Sequence, residues 1–107
     1  NPLIAMSGSG PAYYYLFTEA LVNAGMAMGF SKEDAENLAK ETMIGAAKML
    51  LESGKSPGEL REAVTSPKGT TYEALQVFRQ GGLEELVAKA TKACQSRAEE
   101  MEREYMG

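Results

Sequence analysis

The sequence predicts an all-α domain of about five helices, two of them long. Apolar residues recur at the three- and four-residue spacing of amphipathic helices, and no segment shows the two-residue alternation typical of strands. The chain has 107 residues, of which 44% are apolar, enough for one domain with a modest core. Because a core of this size stabilises a chain only modestly, we expect a partner chain to complete the packing.

The first long helix is predicted over residues 12–28. Residues 1–6 are expected to form an extended lead-in and residues 7–10 a loop, and Pro11 suits the first turn of the helix. The helix is apolar on most of its faces, a pattern typical of burial on nearly all sides. A chain this short has difficulty surrounding one of its own helices, so the pattern indicates a second copy of the chain.

The second long helix is predicted between Ser31 and Gly54. Ser31 is a preferred N-cap residue, acidic residues follow it in the first turn, and Gly54 suits the position just after a helix. Gly45 lies inside this helix, where a glycine costs roughly 1 kcal/mol of helix propensity. Close approach of another helix would explain that glycine, and a tolerated glycine on a solvent-facing surface is the alternative.

Two shorter helices follow. Residues 56–59 read Ser-Pro-Gly-Glu, a capping box with proline at the first helical position, and they open a short helix over residues 60–64. A second capping box is predicted with Thr70 as the N-cap and Glu73 reaching back to it, opening a helix over residues 72–79. The segment between these helices, residues 64–71, resembles neither of them.

A final helix is predicted over residues 83–105, after two consecutive glycines stop the previous one. Its apolar stripe is clear up to Cys94 and then thins into a glutamate-rich segment. We therefore expect the last turns of this helix to be solvated or frayed.

The composition excludes several classes of function. A net charge of −4 with dispersed lysines and arginines disfavours a nucleic-acid partner, and no apolar run approaches the roughly 20 residues of a membrane span. The absence of histidine removes the commonest general base and metal ligand. The single cysteine, Cys94, excludes an internal disulfide and a cysteine-rich zinc site, and it fits a reducing compartment such as the cytoplasm. No carboxylate pair supports a metal site.

Other motifs carry less weight. Gly8 and Gly10 lack the third glycine and the βαβ unit of a dinucleotide-binding fingerprint. One of the tyrosines at positions 13–15 could donate a proton, but core and interface packing is the favoured interpretation. Because the chain begins with Asn1-Pro2 and has no initiator methionine, we expect it to be a fragment of something longer, although Pro2 to Met6 could also be an ordinary interdomain tail.

Residues 64–71, Val-Thr-Ser-Pro-Lys-Gly-Thr-Thr, are the strongest candidate for a site. Hydroxyl groups and a glycine precede a helix whose first N–H groups lack partners within the helix. Such an N-terminus attracts anions, because its N–H groups point at the ligand and the helix dipole is positive there. A linker that only caps helices is the alternative.

Residues 63–75, from Ala63 to Leu75, closely resemble the signature of the pyrroline-5-carboxylate reductases. Residues 7–13, 45–50 and 56–60 resemble the same family, in order and at the family's spacing. The resemblance implies that residues 1–107 are the C-terminal, all-α domain of a two-domain enzyme, which forms an interlocked homodimer. Whether dimers associate further stays open.

The resemblance also implies an activity. The family reduces 1-pyrroline-5-carboxylate to L-proline with NADPH or NADH, in the last step of proline biosynthesis. The cofactor binds mainly to an N-terminal Rossmann domain that this chain does not contain, so its cofactor-binding residues are unknown. We expect the fragment alone to bind no cofactor and to be inactive.

By the same resemblance, the loop binds the imino acid substrate. Thr71 would be the catalytic residue, because its hydroxyl would hydrogen-bond the ring nitrogen and orient the imine. The implied substrate-binding residues are Val64, Ser66, Pro67, Gly69, Thr70 and Thr71. Family members usually have a small residue, often glycine, at the position of Lys68. If that position needs a positive φ, lysine has a steric cost there, and we expect its side chain to point outwards.

Two alternatives remain. The chain could be a non-catalytic helical oligomerisation module whose loop only caps helices. It could also be the corresponding domain of a reductase that acts on a related cyclic imino acid.

Overall fold

A computed structural model describes residues 2–106 of the chain, which are helical throughout apart from short turns and connections. A five-residue π-helix, Ile4–Gly8, precedes five α-helices, and no strand occurs in the described residues. The α-helices are α1 (Gly10–Ala27), α2 (Lys32–Glu52), α3 (Pro57–Ala63), α4 (Thr70–Gln80) and α5 (Leu83–Met106). The all-α prediction with five helices is confirmed, although three helices are long, with 18, 21 and 24 residues.

The prediction of an extended lead-in over residues 1–6 is wrong for its described part, and Asn1 lies outside the described residues. The backbone is already helical at Leu3, and the Ser9 N–H donates to the Ile4 carbonyl at 2.8 Å, closing the π-helix. Tertiary packing explains the difference: this turn lies against α5, and Ala5 is buried. Local sequence carries no signal for that contact.

The chain forms two compact units. The first contains residues 2–15 and 76–106, so it holds the π-helix, the start of α1 and all of α5. Two side-chain contacts stabilise it: the Tyr13 hydroxyl donates to the Ala5 carbonyl at 2.8 Å, and the Cys94 thiol donates to the Ser9 hydroxyl at 3.2 Å. Cys94 is half-buried on α5.

The second unit contains residues 16–75, with the rest of α1, all of α2 and α3, and the start of α4. Here α1 and α2 approach closely where Gly25 meets Ala35, because a side chain on Gly25 would place its Cβ 3.1 Å from the Ala35 Cβ. The chain reverses between them at Gly29, whose φ of 107° suits the position after a helix, and the Phe30 N–H returns to the Gly25 carbonyl.

Helix caps occur largely where the sequence places them. The Ser31 side chain accepts the Asp34 N–H at 3.1 Å, and Gly54 has a φ of 71° just after α2. The capping box of α3 is complete: the Ser56 Oγ accepts the Glu59 N–H at 3.1 Å, and the Ser56 N–H donates to Glu59 Oε1 at 3.0 Å. The Ser56 N–H, and to a smaller extent the Ser56 hydroxyl, hydrogen-bond the Glu59 carboxyl and lower its pKa.

One prediction at a helix end is wrong, and another is confirmed. The second capping box is wrong in register, because α4 begins at Thr70 itself and the Gly69 carbonyl accepts the Glu73 N–H at 3.1 Å. Gly69 therefore holds the N-cap position. The last turns of α5 are solvated, as predicted, but the helix continues to Met106. Arg97 supports that end by pairing with Glu100 and Glu104 at 3.0 and 3.4 Å.

Burial within the single chain is sparse. Across residues 2–105, the buried apolar side chains are those of Ala5, Val22 and Ala35. The first long helix was predicted to be buried on nearly all sides, yet Leu16 is 67% exposed and Phe17 44% exposed. At Gly45 no atom from outside the neighbouring turns of α2 lies within 4 Å of where a Cβ would stand, so no other described part of the chain makes the close helix approach expected there. None of the described helices is long and apolar enough to cross a membrane.

Candidate functional site

The loop after α3 begins by closing that helix. Val64 is the C-cap of α3, and the Thr65 N–H donates to the Glu62 carbonyl at 3.1 Å. The Thr65 hydroxyl turns back and donates to the Arg61 carbonyl at 2.5 Å. That hydroxyl therefore serves the end of α3.

A tight turn follows over residues 66–69. The Gly69 N–H donates to the Ser66 carbonyl at 3.1 Å, and Lys68 has a φ of 60°. Proline as the second residue and a positive φ at the third define a type II β-turn, because a type I turn has a negative φ at both positions. The turn reverses the chain between the end of α3 and the start of α4.

Lys68 occupies the position of that turn where glycine is preferred. Within residues 2–106 it is the one non-glycine residue with a positive φ, so the positive φ considered for this position is confirmed. The side chain is exposed, in agreement with the outward orientation that the sequence suggests. A left-handed conformation costs a residue with a Cβ roughly 1–2 kcal/mol, so the loop keeps its shape against some local strain.

Ser66 and Gly69 lie against each other across the turn. A Cβ added to Gly69 would overlap the Ser66 Oγ and would lie 3.3 Å from the Ser66 carbonyl oxygen. The Ser66 hydroxyl therefore lies beside the α-carbon of the residue that caps α4. The sequence predicts both residues for the site but gives no signal for this contact, which depends on the rotamer of Ser66.

Two threonines open α4 directly after this contact. Thr70 is exposed and Thr71 is half-buried, and they are the first two residues of the helix. The N–H groups of such positions have no acceptor within the helix, since the first intrahelical bond here is donated by Glu73. The loop thus brings together hydroxyl donors, backbone N–H donors and the positive end of a helix dipole, a combination suited to a carboxylate.

The structure therefore gathers most of the predicted residues in one short segment. Ser66, Gly69, Thr70 and Thr71 form the turn and the helix start, Pro67 shapes the turn, and Val64 stands at its edge as the cap of α3. The described residues contain no cluster of three or more metal-ligating side chains.

Tyr13, considered as a proton donor, has a different setting. Its hydroxyl is engaged with the Ala5 carbonyl, and partial burial, helped by the neighbouring Cys94 thiol, raises its pKa. A raised pKa keeps the phenol protonated to a higher pH and makes it a poorer acid. The contact favours the structural interpretation of this tyrosine.

A groove of about 560 Å³ lies in the first unit, between the π-helix and the C-terminal half of α5. Its lining includes Ile4, Cys94, Ala98 and Met101, and it contains none of the loop residues. The sequence does not predict this groove, because it predicts an extended segment where residues 4–8 form the π-helix.

Residues 1–101 match the protein family described as pyrroline-5-carboxylate reductase dimerisation. The chain belongs to this family. The match includes the whole loop, and the family resemblance noted in the sequence is confirmed. Two reductases illustrate the similarity: that of Pseudomonas aeruginosa is 45% identical over 101 residues, and that of Escherichia coli is 38% identical over 101 residues. The alignments cover 94% of this chain but only 37% and 38% of those proteins.

Solved structures of reductases agree. A pyrroline-5-carboxylate reductase from Coxiella burnetii superposes with a TM-score of 0.89 at 48% identity, covering 92% of this chain and 37% of that one. The Plasmodium falciparum pyrroline carboxylate reductase, solved with NADP bound, gives a TM-score of 0.90 at 33% identity, covering 94% and 38%. This dimerisation-family chain thus spans somewhat over a third of the length of the relatives it matches.

Proposed function

We propose that residues 1–107 are the dimerisation and substrate-binding domain of a reductase that converts 1-pyrroline-5-carboxylate to L-proline in proline biosynthesis. The main support for this proposal is the loop at residues 66–71, where a strained type II turn presents hydroxyl and N–H donors at the start of α4. The family of the chain supports the same assignment. A cytoplasmic location suits a chain with one free thiol.

The loop residues divide the recognition of the substrate between them. The Ser66 and Thr70 hydroxyls, with the first N–H groups of α4, hold the substrate carboxylate by charge-assisted hydrogen bonds. Pro67 and Gly69 shape this cradle, and Val64 borders it. The Thr71 hydroxyl holds the ring nitrogen, which orients the imine carbon for reduction. Catalysis by this domain is therefore positioning of the substrate.

NADPH or NADH supplies the hydride, and it is held by a separate nucleotide-binding domain. The NADP bound in the Plasmodium falciparum relative supports this cofactor class. Within residues 2–106 no strand-turn-helix unit with a glycine fingerprint exists, so we assign the domain no nucleotide site of its own. Alone, this domain binds the substrate weakly and catalyses no reduction, since the nucleotide that donates the hydride is bound by the other domain.

Dimerisation completes the fold. The accessible surface of the chain is 8690 Å², whereas a folded monomer of this mass exposes roughly 5,800 Å². The excess, on the order of 3,000 Å² per chain, corresponds to about 6,000 Å² in total for a dimer, at the upper end of the range for obligate, apolar interfaces. Large apolar side chains of α1 and α2 contribute to this exposed surface. Leu16 of α1 and Leu51 of α2 are the most exposed aliphatic residues of their helices.

Sedimentation velocity at micromolar concentration tests this part of the proposal. We expect a stable homodimer, and the same experiment reveals whether dimers associate further. A well-folded monomer, with full helical circular dichroism, would contradict it.

The substrate site is tested in the complete enzyme, meaning this domain joined to its own nucleotide-binding domain or, failing that, to that of the Pseudomonas aeruginosa relative. Thr71→Val should lower kcat/KM by roughly 10- to 100-fold, the value of a hydrogen bond to a polar or charged partner, and leave NADPH affinity nearly unchanged. Thr71→Ser keeps the hydroxyl and should retain most of the activity.

Thr65→Val is the matched control, because the Thr65 hydroxyl is bound to the Arg61 carbonyl and faces no substrate in this assignment. It should lower stability slightly and leave kcat/KM alone. Equal turnover in Thr71→Val and the unmodified enzyme would remove Thr71 from the mechanism and favour a loop that only caps helices.

A further inference from the structure

The glycine at position 69 is not required by its backbone. Residues with a positive φ favour glycine, and within the turn that residue is Lys68, not Gly69. Gly69 does not have a positive φ, and its N–H and carbonyl make the ordinary bonds of a turn and a helix cap. Some other property of glycine must matter at this position.

That property is the space beside its α-carbon. The Ser66 Oγ occupies the place that a Cβ on residue 69 would take, and the Ser66 Cβ and carbonyl oxygen lie 3.6 and 3.3 Å from that place. Within the described residues the Ser66 hydroxyl has no hydrogen-bond partner, and the residue is exposed. The hydroxyl is therefore exposed beside Gly69 and available to a ligand.

We propose that Gly69 is a positioning residue for the substrate carboxylate. Its lack of a side chain lets the Ser66 hydroxyl lie beside the N-cap of α4, the residue that directly precedes Thr70 and Thr71. One carboxylate can then accept from the hydroxyl and from the helix start together. This inference rests on the proposed function, because it needs the loop to be the carboxylate site.

A methyl group at position 69 should act by displacing the Ser66 hydroxyl. Gly69→Ala and Ser66→Ala should each raise KM for 1-pyrroline-5-carboxylate by roughly 10- to 100-fold in the complete enzyme, since each removes one hydrogen bond to a charged group. The effect on kcat should be smaller, because the Thr71 hydroxyl still orients the imine.

The double variant separates positioning from general damage. If the methyl group acts through the hydroxyl, Ser66→Ala/Gly69→Ala should raise KM no more than about threefold beyond Ser66→Ala alone, because contacting residues couple and there is then no hydroxyl to displace. Gly58→Ala is the matched control: its new Cβ would make only ordinary contacts, at 3.9 Å or more, and KM should not change.

Each outcome distinguishes the inference from the proposed function. A raised KM in Ser66→Ala with an unchanged KM in Gly69→Ala overturns the role of Gly69 and leaves the carboxylate site standing. Multiplying effects in the double variant also overturn it. An unchanged KM in Ser66→Ala overturns both. Where Gly69→Ala fails to fold, the double variant still decides, because removing the Ser66 hydroxyl should restore the dimer if that hydroxyl is the obstruction.

Discussion

Replacing Lys68 by glycine should stabilise the domain. Lys68 has a φ of 60°, and relief of the Cβ clash in this left-handed conformation is worth roughly 1–2 kcal/mol. Glycine also gains freedom in the unfolded chain, which offsets about 0.5–1 kcal/mol of that gain. The balance is a stabilisation of about 0.5–1 kcal/mol per chain. The lysine side chain itself is exposed and should contribute little to stability.

Urea unfolding of the dimer, followed by circular dichroism at one fixed protein concentration, measures this change. Two control variants identify its cause. Lys68→Ala removes the charge but keeps the Cβ, so its midpoint should stay near that of the unmodified protein. Lys55→Gly places glycine at an exposed position without a positive φ, so it should be destabilising. A loss of stability in Lys68→Gly, or an equal gain in Lys68→Ala, would refute the strain argument.

Two further predictions concern the helices. Glu59→Gln should weaken the pH dependence of unfolding: hydrogen bonds from Ser56 lower the pKa of the Glu59 carboxyl, so the stability they provide is present above its ordinary pKa and lost as pH falls through the lowered value. Acid titrations of stability that coincide for both proteins would contradict this. Gly45→Ala adds about 1 kcal/mol of helix propensity to α2. If a second copy approaches at that glycine, sedimentation should nevertheless show a weaker dimer, and a tighter dimer would place Gly45 on a solvent face.

Local signals in the sequence are sufficient for most helix ends. A cap such as Ser31 or Ser56 depends on residues within one turn of itself, so its hydrogen bonds follow from spacing alone. The same holds for Gly29 and Gly54, whose positive φ values end α1 and α2. A positive φ at Lys68 could likewise be anticipated from the sequence, because the family usually has a small residue, often glycine, at this position.

Contacts between distant residues could not be predicted in this way. The π-helix of residues 4–8 forms where Ala5 packs near α5, and nothing within the segment itself distinguishes it from an extended chain. The sequence places the N-cap of α4 one residue too late, at Thr70, because threonine is a common N-cap residue. In the structure Gly69, the last residue of the turn, holds the N-cap position. The contact between Ser66 and Gly69 requires a rotamer, which no sequence pattern specifies.

The loop and the dimer are linked through α3 and α4. Neither helix has a buried residue in the single chain, although they hold both ends of the loop. The strain at Lys68 persists only if its surroundings fix the turn, and the chain alone provides few buried contacts for that purpose. Under the proposed function, packing against a second copy supplies them, so the carboxylate cradle is fully formed only in the dimer. Linkage then requires the reverse effect: a bound carboxylate ligand, by favouring the formed cradle, must strengthen the association of the two chains.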